Sequence, residues 1–227
     1  MNTWKLWAAA WIGISFLLNV AVSADGATEA YERGISCLDS KDFDGAILAF
    51  TEAIRLKPCY AEAYSDRGLA YLEKDDVDKA IADCNEAIRL DPQLAEAYDN
   101  RGDAYEKKGD FVKALADYTK SIRLDPEEAG PRNSLAWILA TSSHDCLRNG
   151  KRAVENALWA CKLSQWKEAD YLDTLAAAYA EVGMFNKAVE FQQKALEMAT
   201  KDADKEDYRK NLSLYKDSKP CREPKRK

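Results

Sequence analysis

The sequence is poor in loop formers and in catalytic chemistry. Ten glycines and six prolines among 227 residues are too few for a turn-rich β-sandwich or a low-complexity linker. A single histidine, His144, leaves little from which to build histidine-based acid–base catalysis or a histidine-rich metal site. Basic side chains are in the minority, 33 against 39 acidic ones, for a formal charge of -6 and a pI near 5.1. That balance argues against a generic nucleic-acid-binding surface and favours neutral or basic partners. No phosphate-binding glycine loop, paired-histidine zinc helix or nucleophile elbow occurs, so neither a cofactor nor a metal is expected. Alanine, leucine, glutamate, lysine and tyrosine are plentiful in a chain that is 47% apolar, which points to a mostly helical fold with a buried core.

Only one long hydrophobic run is present. Lys5 is the sole charge before Asp25, Leu6 to Val20 is strongly apolar, and Ala21-Val22-Ser23-Ala24 follows. This is the pattern of a secretory signal peptide over residues 1–24, cleaved after Ala24. As a helix, Leu6 to Val20 would reach about 22 Å, short of the roughly 30 Å of bilayer hydrocarbon, so a cleaved signal is favoured over a membrane anchor. The mature chain is then expected outside the cytoplasm, periplasmic or extracellular, or membrane-anchored if the segment stays. At the other end, Lys219, Arg222, Lys225, Arg226 and Lys227 outnumber Asp217 and Glu223, making 217–227 a basic tail. Such a tail could dock on the acidic body, touch an anionic surface, or keep the chain soluble, the last being the simplest reading.

A period of 34 residues organises the rest. Gly34, Gly68 and Gly102 keep that interval, as do Ala46, Ala80 and Ala114, and Pro58, Pro92 and Pro126. Each unit reads as two amphipathic helices, the first unit with a turn at Lys41-Asp42 and a stop at Pro58. A glycine within a helix costs about 1 kcal/mol relative to alanine, so these three are expected where the second helix approaches too closely for a side chain. Asp42, Asp76 and Asp110 stand where the second helices start and are expected to cap them. Phe50, Cys84 and Tyr118 should fill the space beside the helix crossing.

Those residues and that period resemble the tetratricopeptide repeat (TPR) family, with Tyr64, Gly68, Tyr71, Ala80, Ala87 and Pro92, then Tyr98, Gly102, Tyr105, Ala114, Tyr118 and Pro126, as close matches. The resemblance implies an all-α, right-handed superhelical solenoid of antiparallel helix pairs: repeats over 27–60, 61–94, 95–128, 129–168 (divergent, with a loop insertion) and 169–202, then a capping helix over 203–216. The stretch from Asn133-Ser134-Leu135-Ala136-Trp137 to Leu172-Asp173-Thr174-Leu175 is similar to a bacterial, exported branch of the family.

In this family the first helices line a concave surface that holds peptides. The outward positions here include Tyr31, Ile35 and Asp39; Glu62, Ser65, Leu69, Leu72 and Glu73; Glu96, Asp99, Asp103 and Glu106; Trp137 and Thr141; and Asp170, Asp173, Ala177 and Glu181. The expected site is therefore an acidic groove for a basic protein or peptide segment. Its residues are Tyr31, Glu62, Leu69, Glu73, Glu96, Asp99, Asp103, Glu106, Trp137 and Asp173, charge acting with aromatic anchoring. TPR domains that grip acidic chaperone tails need lysine, asparagine and arginine on these faces. Tyr31, Ile35, Asp66, Glu96 and Asn100 occupy those positions, so that use is set aside.

His144-Asp145-Cys146 does not make a catalytic constellation, because chain neighbours in a loop point apart. Six cysteines invite a disulfide reading in an exported chain. Cys37 and Cys84 fall at packing positions, however, and Cys146 and Cys161 flank a helix on the order of 18 Å long. Free thiols are the expectation. The function expected is a non-enzymatic binding scaffold, in envelope assembly for instance. A membrane-anchored structural component or a self-associating homo-oligomer is the alternative.

Overall fold

The computed structural model describes residues 26–222; the signal-peptide reading of 1–24 and the last part of the basic tail lie outside these. Among the described residues there are eleven α-helices, one short 3-10 turn and no strand. Residues 26–39 form α1, followed by α2 (Phe43–Leu56), α3 (Ala61–Glu73), α4 (Val77–Leu90), α5 (Ala95–Lys107) and α6 (Phe111–Leu124). Then come α7 (Gly130–Thr141), α8 (Gly150–Leu163), α9 (Ala169–Glu181), α10 (Phe185–Met198) and α11 (Asp202–Lys216). The chain divides into two compact units, with the boundary between Ala104 and Tyr105, inside α5.

Local chemistry sets the helix limits. α2, α4 and α6 each stop two residues before a proline, and the intervening Lys57, Asp91 and Asp125 leave the helical region (φ -132°, -133° and -125°), as a residue preceding proline must. Asp42 and Asp110 cap their helices by accepting from the backbone N–H of Gly45 (3.0 Å) and Lys113 (3.3 Å). Asp76, at the equivalent position, instead pairs with the Lys79 ammonium. The turns within four of the five helix pairs each use one left-handed residue, Lys41 (φ 59°), Asp75 (φ 66°), Gly109 (φ 81°) and Gly183 (φ 76°), whereas the longer α7–α8 connection has none.

In the first unit, Ala46, Phe50 and Ala53 of α2 pack with Ala30, Ala63 and Ala70, all fully buried. A methyl group on Gly34 would come within 2.3 Å of the Phe50 ring, and one on Gly68 within 2.8 Å of Cys84 Sγ and 3.2 Å of the Ala80 carbonyl oxygen. The missing side chains are therefore what lets the second helix close on the first. Complete burial of Phe50 contributes about 1.5–3 kcal/mol of hydrophobic stabilisation.

The second unit repeats the plan. Ala114 and Tyr118 of α6 are fully buried, as are Ala153, Ala157, Ala160 and Cys161 of α8. In α9, Leu172 to Ala180 are all buried, because this helix packs against α7, α8, α10 and α11. The last helix closes the array with Tyr208, Leu212 and Tyr215. No helix among the described residues is long and apolar enough to cross a membrane.

Candidate functional site

The first-unit part of the expected site lies on α1, α3 and α5. The Tyr31 hydroxyl donates to Asp66 Oδ2 at 2.6 Å, and its ring packs against Tyr60 and Phe50 with centroids 4.9 and 5.6 Å away. One helix further on, Asn100 Nδ2 donates to Ser65 Oγ at 3.0 Å. Both bonds span 35 residues, one repeat plus one position, so they tie successive first helices together along the face. Burial pushes the Asp66 carboxyl up to about 6; the hydrogen bond from Tyr31 opposes this, while the neighbouring Glu96 and Glu62 charges add to it. The Tyr31 hydroxyl is also pushed upward, by burial and by its bond to Asp66.

Glu62, Glu73 and Glu96 are exposed, and Leu69, Asp99 and Asp103 are half-buried. Ser65 and Leu72, expected to face outward, are buried instead, because the next first helix and the core take them up. Glu106 accepts from the buried Tyr118 hydroxyl at 2.8 Å, so part of its hydrogen-bonding capacity serves the packing.

In the second unit the chain itself covers part of the first-helix face, while Asp170 stays exposed and Glu106 and Trp137 half-buried. Asp173, expected to line an open groove, is 7% exposed beneath α11 and accepts from Gln192 Nε2 (2.6 Å) and Asn211 Nδ2 (3.1 Å). Burial pushes its carboxyl up to about 6, against the pull of those two amides and with a further push from Asp170 and Asp207. Tyr208 donates to Asp170 alongside. Thr141 and Ala177 are buried. What remains is a cavity of about 390 Å³ whose wall includes Trp137, Asp170, Asp207, Tyr208 and Arg222.

The described part of the basic tail, through Arg222, lies against the second unit. Arg222 Nη2 lies 2.6 Å from Glu181 Oε2, and Nη1 donates to the Ala140 carbonyl at 3.3 Å. The other Glu181 oxygen receives Arg148 Nε at 3.1 Å, so one carboxylate holds two guanidinium groups.

The histidine loop offers no assembled chemistry. Asp145 pairs with Arg148 at 2.6 Å rather than with His144, whose ring faces Phe111 at 6.3 Å between centroids. Among the described residues, no three His, Cys, Asp or Glu side chains gather to hold a metal ion. All six cysteines are free thiols: Cys59 and Cys146 exposed, Cys37 and Cys221 half-buried, Cys84 and Cys161 buried. Burial pushes the Cys161 thiol up to about 12.

Sequence reasoning overlooked Asp66 as a meeting point, and Glu181 as the tail's anchor. The 35-residue spacing of Tyr31 to Asp66 and of Ser65 to Asn100 was a usable signal for the first. For the second, nothing in the repeat pattern places the segment after α11.

Stacked antiparallel helix pairs with small residues at each crossing define a helical-repeat protein. The particular family follows from the comparisons. Tetratricopeptide repeat models match residues 31–95, 95–128 and 169–202, more than half of the chain together, and the chain belongs to the tetratricopeptide repeat family. No curated protein matches it. Among solved structures it is similar to a thermophilic TPR protein of Thermus thermophilus, at 20% identity and a TM-score of 0.62 over 83% of this chain and 98% of that one. MamA of Desulfovibrio magneticus aligns at 19% identity and a TM-score of 0.61, over 77% and 95% respectively. YrrB aligns at 17% identity and a TM-score of 0.59, over 80% and 90%. At such identities the likeness is one of fold.

Proposed function

We propose that this chain is a non-enzymatic protein- or peptide-binding scaffold whose first-helix face takes a basic segment of its partner. In the same proposal residues 1–24 export it, and it works in envelope assembly. The observation that supports the electrostatic part is the convergence on Asp66 of Glu62, from its own helix, and Glu96, from the next first helix. Gathering like charges is unfavourable in the free protein, and a cationic side chain between them relieves that repulsion. Tyr31, held by Asp66 and flanked by Tyr60, supplies a rigid aromatic surface beside the charge. The fold points the same way, since helical-repeat arrays present extended binding surfaces and YrrB is a TPR protein with an unusual peptide-binding site.

The test is titration of the mature protein with fluorescent oligo-arginine and oligo-glutamate peptides across a salt series. The arginine peptide is expected to bind, with affinity falling steeply as salt rises, and the glutamate peptide is not. The combined variant Glu62→Lys, Glu73→Lys and Glu96→Lys should lose the arginine peptide by at least about tenfold. Undiminished binding by that variant would overturn the electrostatic reading. Sequencing the mature amino terminus tests export, with Asp25 the expected first residue and an intact Met1 marking the anchored alternative.

A further inference from the structure

We propose that the segment following α11, Lys219–Arg222, is a strap that occupies the first-helix face of the second unit, and that a basic partner of that face must displace it. The proposal rests on the reading above, that this face takes a basic segment.

The geometry is that of a ligand held in cis. After α11, Ser218 turns the chain with a left-handed backbone (φ 57°), and Lys219 N–H closes the helix end on the Leu214 carbonyl at 2.9 Å. The chain then runs back over the first-helix face of its own unit. Cys221 packs against the core, and Arg222 reaches a carbonyl 82 residues earlier in the sequence, that of Ala140 at the end of α7.

Its guanidinium contacts Glu181, a first-helix residue of the outward set, whose side chain is only 14% exposed. Both helices that Arg222 touches, α7 and α9, are first helices, so the contact lies on the face assigned to a partner. Arg222 also forms part of the wall of the cavity that contains Trp137, Asp170 and Asp207. A basic side chain is therefore already seated where the face is acidic and aromatic.

Glu181 is suited to exchange one cation for another. Arg148, itself tied to Asp145 and to the Ser142 carbonyl, stays on one carboxylate oxygen as a fixed element of the fold. The other oxygen meets the strap's guanidinium, whose side chain is 34% exposed. Removing Arg222 thus frees a largely buried acceptor oxygen without unpacking a helix. A partner arginine entering there would restore the same ion pair, with no new charge left uncompensated.

The experiment uses the full mature chain and four proteins: wild type, Arg222→Ala, Arg222→Lys and Arg209→Ala. Arg209 is an exposed arginine of α11, so its loss changes net charge equally without touching the strap. Affinity for the oligo-arginine peptide is read by anisotropy. Access to the strap is read as the iodoacetamide labelling rate of Cys221 relative to exposed Cys59 and Cys146, site by site in a mass spectrometer.

If the strap closes this face for about nine-tenths of the time, the peptide's affinity for the second unit's face should be about tenfold tighter in Arg222→Ala, since apparent affinity for an occluded face scales with its open fraction. Arg222→Lys and Arg209→Ala should stay near wild type. Labelling of Cys221 should be slow in wild type, and should quicken in Arg222→Ala and when the peptide is added to wild type. Equal affinity for wild type and Arg222→Ala overturns the strap while leaving the basic-segment reading intact. Equal gains from Arg222→Ala and Arg209→Ala also overturn it, because net charge then accounts for the effect. Absence of binding by all four proteins overturns the basic-segment reading and the displacement with it.

Discussion

Arg67 forks onto Asp83, with Nε to Oδ2 at 2.7 Å and Nη2 to Oδ1 at 2.8 Å, clamping α3 to α4. Both side chains are nearly buried, 15% and 12% exposed, and a third bond runs from Arg67 Nη1 to Thr51 Oγ1 at 3.0 Å. The pair thus fixes the register of one helix pair and touches the previous one. Its two-point geometry needs a planar guanidinium, which lysine cannot supply.

Arg67→Ala leaves the Asp83 carboxylate without its principal counter-charge, and such a loss costs about 3–5 kcal/mol when the pair is buried. Arg67→Lys should recover less than half. Replacing both partners, with Arg67→Met and Asp83→Leu, should be less damaging than Arg67→Ala alone. Urea unfolding followed by circular dichroism decides it, and a double replacement as unstable as the single one would show that the pair does not act as a unit.

Gly34→Ala should destabilise although alanine is the better helix former. The added methyl would lie 2.3 to 2.8 Å from three atoms of the Phe50 ring, which is itself fully buried and cannot swing away. Overpacking of this kind costs about 1–3 kcal/mol, against the roughly 1 kcal/mol that alanine contributes through propensity. A smaller partner should reverse the sign of the substitution: in a Phe50→Leu background, Gly34→Ala is expected to be neutral or stabilising. Thermal melts of the four proteins in the cycle test this.

The 34-residue pattern made the crossings legible because each depends on residue size at a fixed interval. Gly34, Gly68, Ala46, Ala80 and Ala114 repeat for the same steric reason each time, and Phe50, Cys84 and Tyr118 fill what they leave. The acidic face was legible as composition but not as geometry. By sequence Ser65 and Asp173 fall at outward positions like that of Glu62, yet one bonds to the next first helix and the other is roofed by α11. The roof follows another spacing: Tyr208 and Asn211 meet Asp170 and Asp173 across 38 residues, and those meetings set where α11 sits. A capping helix answers to the surface it covers, not to the repeat.

The thiols should separate into classes by burial. Cys59 and Cys146 are exposed and should react rapidly with Ellman's reagent in the native protein, whereas Cys84 and Cys161 are buried. The thiolate is the reactive form, and with its pKa pushed up to about 12, Cys161 stays protonated across the neutral range. Both buried thiols should react only on unfolding, at the urea concentration where the helical signal is lost. Native-state reaction of Cys161 at the rate of Cys59 would contradict the packing of α8 against α9.

Acid should strengthen the docking of α11. The Asp173 carboxyl has an ordinary value of 3.8 and is raised to about 6 in the fold, by burial first and by Asp170 and Asp207 after the opposing amides. A carboxyl raised by folding binds its proton more tightly in the native state than in the unfolded one. Native stability from this group is therefore fully present below about pH 4 and is lost as pH rises through about 6. Each unit of displacement corresponds to about 1.4 kcal/mol, so ionising Asp173 above pH 7 costs on the order of 3 kcal/mol. Asp173→Asn removes the charge and keeps an acceptor for Gln192 and Asn211. It should stabilise the protein by about 2–3 kcal/mol at pH 7.5, and the gain should shrink steadily towards pH 4.5. The difference between wild type and variant cancels the titration of carboxylates that do not interact with Asp173, so urea unfolding of both proteins across that range reads Asp173 together with its neighbours Asp170 and Asp207. A difference that stays constant with pH would mean that Asp173 has the same proton affinity folded and unfolded.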